Sequence, residues 1–142
     1  PVCHRELLIR EFLCLFMHLL SMEAYSQLGT KPRVRIVDRV AETVAASWVA
    51  QPPDNDDVLA IRKEFYVSLN AAEMIYSTCS ELLAENNPLS GDGLFQVAAR
   101  RVTGISDGTD NPLTMMTVQH SLLSAWQLLD FPKWIQILQR AV

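Results

Sequence analysis

The chain has 142 residues, 49% of them hydrophobic and 20% charged, with a formal net charge of −4. That length predicts one domain, 1–142, able to bury about two-thirds of its unfolded surface, and the apolar share excludes wholesale disorder. The acidic balance excludes an overall basic field for nucleic acid or an anionic membrane. No apolar run approaches a membrane span, and three cysteines are too few for a disulfide scaffold.

Residues 2–27 read as one long helix. Leu8, Phe12, Leu15, Leu19 and Met22 form one apolar stripe; Ile9, Leu13, Phe16 and Leu20 form a second beside it. Two adjacent stripes predict a helix covered on more than one side. Arg5, Glu6, Arg10 and Glu11 interrupt the apolar start, which argues against a signal peptide. The sparse, odd set of cysteines fits a reducing compartment, as does the absence of any Asn-x-Ser/Thr acceptor.

After Gly29-Thr30-Lys31-Pro32, residues 33–50 predict a second helix with Val37, Val40, Val44 and Trp48 at three- and four-residue spacing. Gln51 to Asn55 reads as a loop. Residues 57–69 predict a third helix, capped by Asp56 or Asp57, with Val58, Ile61, Phe65 and Leu69 on one side. Asn70-Ala71-Ala72-Glu73 resembles a capping box, so a fourth helix is expected from residue 70 to about 86. A Gly- and Asn-rich loop through Gly93 leads to a fifth helix over 92–103. Asp110-Asn111-Pro112 places capping residues before a proline at the first helical position, starting a sixth helix that ends near 129. Pro132 breaks the pattern, and 132–141 adds a short seventh. Strand-like alternation is missing throughout, and the expectation is an all-α bundle of six to eight helices.

Catalytic chemistry finds little support in these residues. Cys14 and His18 share one helix face at four-residue spacing. Cys3 and His4 lie about 15 Å away along the same helix, too far to complete a metal site. The plainer reading is a buried cysteine beside a surface histidine. Asp54-Asn55-Asp56-Asp57 and 107–111 lack the alternating acids, glycine and closing Glu of a calcium loop, and read as helix-capping loops. There is no Gly-x-Ser-x-Gly elbow, and Gly91-Asp92-Gly93 lacks the Lys-Ser/Thr of a phosphate loop. Arg33, Arg35 and Arg39 could hold an anion, but a solvated helix face is the simpler account. No enzyme, metal or cofactor is expected. High apolar content in a helical chain favours a binding module whose ligand is another helix lying in an apolar groove.

Several segments carry a family resemblance. Glu6-Leu7-Leu8-Ile9-Arg10-Glu11-Phe12-Leu13, with Tyr25-Ser26 further on, resembles the N-terminal homology motif of the Bcl-2 family of apoptosis regulators. Val37-Asp38-Arg39-Val40-Ala41-Glu42-Thr43-Val44 is similar to a degenerate third homology motif. Ser80-Glu81-Leu82-Leu83 is similar to the end of the family's fourth helix. Gly91-Asp92-Gly93-Leu94-Phe95 corresponds to the first motif, and Pro132-Lys133-Trp134-Ile135-Gln136 to the opening of the second. The segments fall in family order along nearly the whole chain. The Gly-Gly-Trp of the second motif is missing, and Leu94 stands where the first motif has its Arg.

The resemblance implies a Bcl-2-like bundle around a central apolar hairpin, with a surface groove formed by helices two to five. The implied function is inhibition of apoptosis by sequestering the homology-3 helices of pro-death proteins such as Bim. Carried over, Val44 and Trp48 would line the groove from the second helix, Phe65 and Leu69 from the third, and Thr78, Glu81 and Leu82 from the fourth. Leu94 and Val97 would line it from the fifth, with Arg100 or Arg101 standing in for the missing Arg. A Leu94→Arg exchange is then expected to broaden the ligand range. The divergence looks more like that of a viral homologue than of a cellular one, which would act in the host cytoplasm and reach mitochondria through partners; neither a membrane tail nor direct membrane insertion is expected. A groove-covering homodimer is an open assembly, because exposed apolar surface favours self-association. Three other readings compete: the same fold binding innate-signalling proteins through another face, a pro-death member, and an unrelated helical adaptor or assembly domain.

Overall fold

The computed structural model describes residues 4–49, 58–83, 91–107 and 111–141. Among them are six α-helices and no strand: α1 (His4–Leu28), α2 (Thr30–Val49), α3 (Val58–Tyr76), α4 (Leu94–Asp107), α5 (Pro112–Leu128) and α6 (Phe131–Ala141). The all-α expectation holds. Among the described residues, no helix is long and apolar enough to cross a membrane.

Punctuation by glycine and proline sets most boundaries. Gly29 alone separates α1 from α2. Its φ of 78° lies in the left-handed region where a side chain is strained, and its N–H donates to the Tyr25 carbonyl at 2.9 Å. Asn111 caps α5, its Oδ1 accepting from the N–H groups of Leu113 and Thr114 at 3.0 and 3.3 Å, with Pro112 following as expected. The caps expected at Asp56 and Asp57 lie outside the described residues, as do the loops at 51–55 and 84–90 and most of 107–110.

One boundary differs. The break expected at Asn70 does not exist: α3 runs unbroken to Tyr76, and 77–83 is turn and bend. Ile61, Phe65, Leu69, Ala72 and Tyr76 keep one inward-facing row across the supposed junction, all buried or half-buried. Asn70 itself is exposed and caps nothing. Continuous burial outweighs a local capping signal.

The chain divides into two compact units, each built from two stretches of sequence. The first comprises Pro1–Leu15 and Ala72–Asp130; in it α4 packs against α5. Ala98 and Ala99 of α4 are fully buried, so the helix backbone can be approached closely there. The other buried side chains of this unit include Leu94, Phe95, Val102, Met115 and Tyr76.

The second unit comprises Phe16–Ala71 and Phe131–Val142, and in it α2 packs against α6. Its buried side chains include Met17, Leu20, Ile36, Phe65, Phe131 and Ile135. Phe16 meets Phe131 with ring centroids 5.3 Å apart. On α2 the buried row is Ile36, Ala41 and Ala45. The Val37, Val40 and Val44 stripe read from the sequence is half-buried beside it.

Candidate functional site

The first unit holds a charged cluster built by three helices. Glu11 projects from α1 and is 7% exposed. Its carboxylate accepts from one guanidinium edge of Arg101 on α4, Nε to Oε1 at 2.5 Å and Nη2 to Oε2 at 2.8 Å. The Tyr76 hydroxyl, from the end of α3, donates to the same Oε1. The Arg101 guanidinium also lies over the Tyr76 ring, 5.9 Å from its centroid. A bidentate pair of this kind is the strongest arrangement available to a buried carboxylate.

The electrostatics follow from burial and from the Glu11 charge. Burial, then Glu11, pushes the Tyr76 hydroxyl far above the ordinary tyrosine range. The Glu11 hydrogen bonds raise Arg101 further. One turn from Glu11, burial first and the carboxylate second push the Cys14 thiol up to about 11. Cys14 is therefore held as an inert thiol rather than a thiolate nucleophile. His18, expected at the helix surface, is buried like Cys14. Among the described residues, no three His, Cys, Asp or Glu side chains gather to hold a metal ion.

The candidate groove residues fall in both units. Val44, Phe65 and Leu69 belong to the second; Thr78, Glu81, Leu82, Leu94, Val97, Arg100 and Arg101 belong to the first. The Trp48 side chain lies outside the described residues. Val44, Leu69, Leu82 and Val97 are half-buried, whereas Thr78 and Glu81 are exposed.

Two residues expected to face a ligand do not. Phe65 and Leu94 are each 1% exposed and belong to the interior. Leu94 opens α4 with its N–H tied to the Glu81 carbonyl at 2.8 Å, which sets the side chain at a buried first turn. The Leu94→Arg exchange would thus place a charge in the core, and its expected broadening of ligand range does not survive.

The two arginines are also engaged. Arg101 is committed to Glu11. Arg100 donates to the Gly91 carbonyl at 2.8 Å and forms a looser pair with exposed Asp92 at 3.5 Å, holding the turn before α4.

That turn fixes a short wall at 81–83. The first free N–H groups of α4, Leu94 and Phe95, donate to the carbonyls of Glu81 and Leu82 at 2.8 and 3.0 Å. The Gln96 side chain reaches back to the Gly93 N–H at 3.0 Å. Beside this pinned segment lies an open depression of about 200 Å³, lined by Leu83 and by Met116, Gln119, His120 and Leu123 of α5.

Leu82, next to Leu83, is among the groove residues expected from the sequence; the α5 residues are not. Met116, His120 and Leu123 recur at helical spacing, a signal that was present but indistinguishable from a core stripe. The arrangement can accept apolar side chains beside two polar ones. No protein-family model, no curated protein and no solved structure matches the chain.

Proposed function

We propose that the protein is a non-catalytic, helix-binding regulator of the Bcl-2 type that sequesters the homology-3 helices of pro-death proteins. The observation that carries this reading is the apolar depression between the pinned 81–83 segment and α5. Its wall is held by backbone hydrogen bonds to the start of α4, so it is preorganised before a ligand arrives. The order of the resembling segments along the chain also supports it, as does the meeting of two of them: Glu11 of the N-terminal motif holds Arg101, on the helix opened by the first-motif segment. The setting would be the cytoplasm of an infected host cell.

Calorimetric titration of the purified chain against a panel of homology-3 peptides tests the reading. Binding to some of them tighter than about 1 μM, or about −8 kcal/mol, is the expected result. Leu83→Glu or Met116→Glu should weaken it by about tenfold or more, since a charge at an apolar anchor must be desolvated unpaired. Both side chains have solvent contact, so these variants report on binding rather than folding. A folded, helical sample that binds none of the peptides would overturn the proposal.

One observation favours a second reading. Both cations expected to meet a ligand acid are already engaged, Arg101 by Glu11 and Arg100 by the Gly91 carbonyl. A family-type fold that uses another face for a signalling partner would not need those cations, and negative titrations would move the search there.

A further inference from the structure

Charge is distributed unevenly along this acidic chain. The two helices α2 and α6 together carry six of its 12 Lys and Arg but two of its 16 Asp and Glu, a net +4 within a total of −4. They are the pair that packs together in the second unit. Lys31, Arg35, Arg39, Lys133 and Arg140 are all exposed, and Arg33 lies over the Tyr25 ring, 5.8 Å from its centroid. Three of these cations sit within the opening turns of α2, where the helix dipole disfavours positive charge. A sequence selected for stability alone would place acids there, and the first turn of α2 has none.

The same helices bound a depression of about 240 Å³, lined by Pro32, Arg35 and Ile36 of α2 and Gln139 of α6. Pro32 and Ile36 supply an apolar floor, Arg35 a planar fork and Gln139 an amide. Arg39 continues the Arg35 row one turn further. Its pair with Glu42 is long at 3.8 Å and exposed on both sides, too weak to keep it from a better acceptor.

We propose that the α2–α6 face docks an acidic amphipathic segment of a partner protein, one apolar side chain entering the Pro32–Ile36 depression while neighbouring carboxylates meet Arg35 and Arg39. Arginine forks suit paired carboxylate oxygens, and a concave apolar floor suits a protruding side chain better than a flat lipid surface. This face is distinct from the depression proposed for homology-3 helices and does not depend on it.

Fluorescence anisotropy tests the proposal. The probes are labelled peptides of about six helical turns, with Glu on one face and Leu, Phe or Met on the other, and matched peptides with Gln for Glu or Ala for the apolar residue. The expected result is binding that weakens between about 50 and about 200 mM salt and is lost with either matched peptide. Arg35→Glu/Arg39→Glu should weaken it by about tenfold or more, whereas Arg62→Glu/Lys63→Glu on α3, an equal change of charge at exposed positions, should leave it unchanged. Gln139→Glu, exposed on α6, should weaken it independently and keeps the test open should the double variant fail to fold. Equal losses from the α2 and α3 pairs would overturn the proposal, as would absence of binding across the peptide panel. So would stronger binding to phosphatidylserine vesicles or to a single-stranded polynucleotide, or competition by a saturating homology-3 peptide.

Discussion

A carboxylate withdrawn from water needs donors, and Glu11 has three: the Tyr76 hydroxyl and two N–H groups of Arg101. Arg101→Met removes two of them and leaves a buried charge with one neutral partner, which should cost about 3 kcal/mol in urea unfolding. Pairing it with Glu11→Gln should recover part of the loss, since the charge no longer needs compensation. Equal stability of Arg101→Met and the parent would show that the pair contributes nothing. Cys14 supplies a second test. In the folded protein its pKa is pushed up to about 11, above the ordinary thiol value of 9.0. The folded state therefore holds its proton longer than the unfolded chain, and the associated stability is intact below pH 9 and lost as pH rises through about 11. Chemical denaturation at stepped alkaline pH should show that decline, and Cys14→Ala should flatten it between those values. The sequence marked Glu11 as a motif residue and Arg101 as a ligand-facing cation. Their mutual engagement was not legible, because the two are separated by 90 residues and periodicity reports nothing at that range.

At the scale of elements, sequence and structure agree where the chain is punctuated and part where burial and local chemistry disagree. Gly29, the Asn111–Pro112 pair and Pro132 marked real boundaries because each changes what the backbone can do. Asn70 was misread because a capping pattern is a local signal, whereas the row from Ile61 to Tyr76 is held by its surroundings along the whole helix. The two views predict opposite effects for Asn70→Ala. As a cap its loss would destabilise by about 1 kcal/mol. As an exposed mid-helix residue its replacement should stabilise by about 0.5 kcal/mol, and thermal unfolding decides between them. α1 taught a different lesson. Apolar residues ring the helix, so spacing alone could not choose an inner face. The interior takes Glu11, Cys14, His18 and Ser21, while Ile9 and Phe12, about 40% exposed, stay near solvent.

At the scale of the whole molecule, helix content and the all-α class were legible, since glycine and proline cut the sequence into helix-length pieces. The candidate surfaces were legible in part. Leu82 and Val97 retain solvent contact, Phe65 and Leu94 do not, and the α5 wall of Met116 and Leu123 was missed. Both proposed surfaces lie inside single units, the helix-binding depression in the first and the basic face in the second. A charge reversal on α2 can therefore be separated from an apolar lesion on α5.

Each unit is assembled from two stretches that alternate along the chain. On the ribosome this ordering has a consequence. α2 emerges early, but α6, the helix against which it packs, is the last of the six to be made. Throughout translation of α3, α4 and α5 the nascent chain carries Ile36 and Phe16 without the cover that α6 and Phe131 later provide. That interval exposes sticky surface to chaperones and proteases, and a slowing of synthesis within it would lower the yield of folded protein without altering the finished molecule.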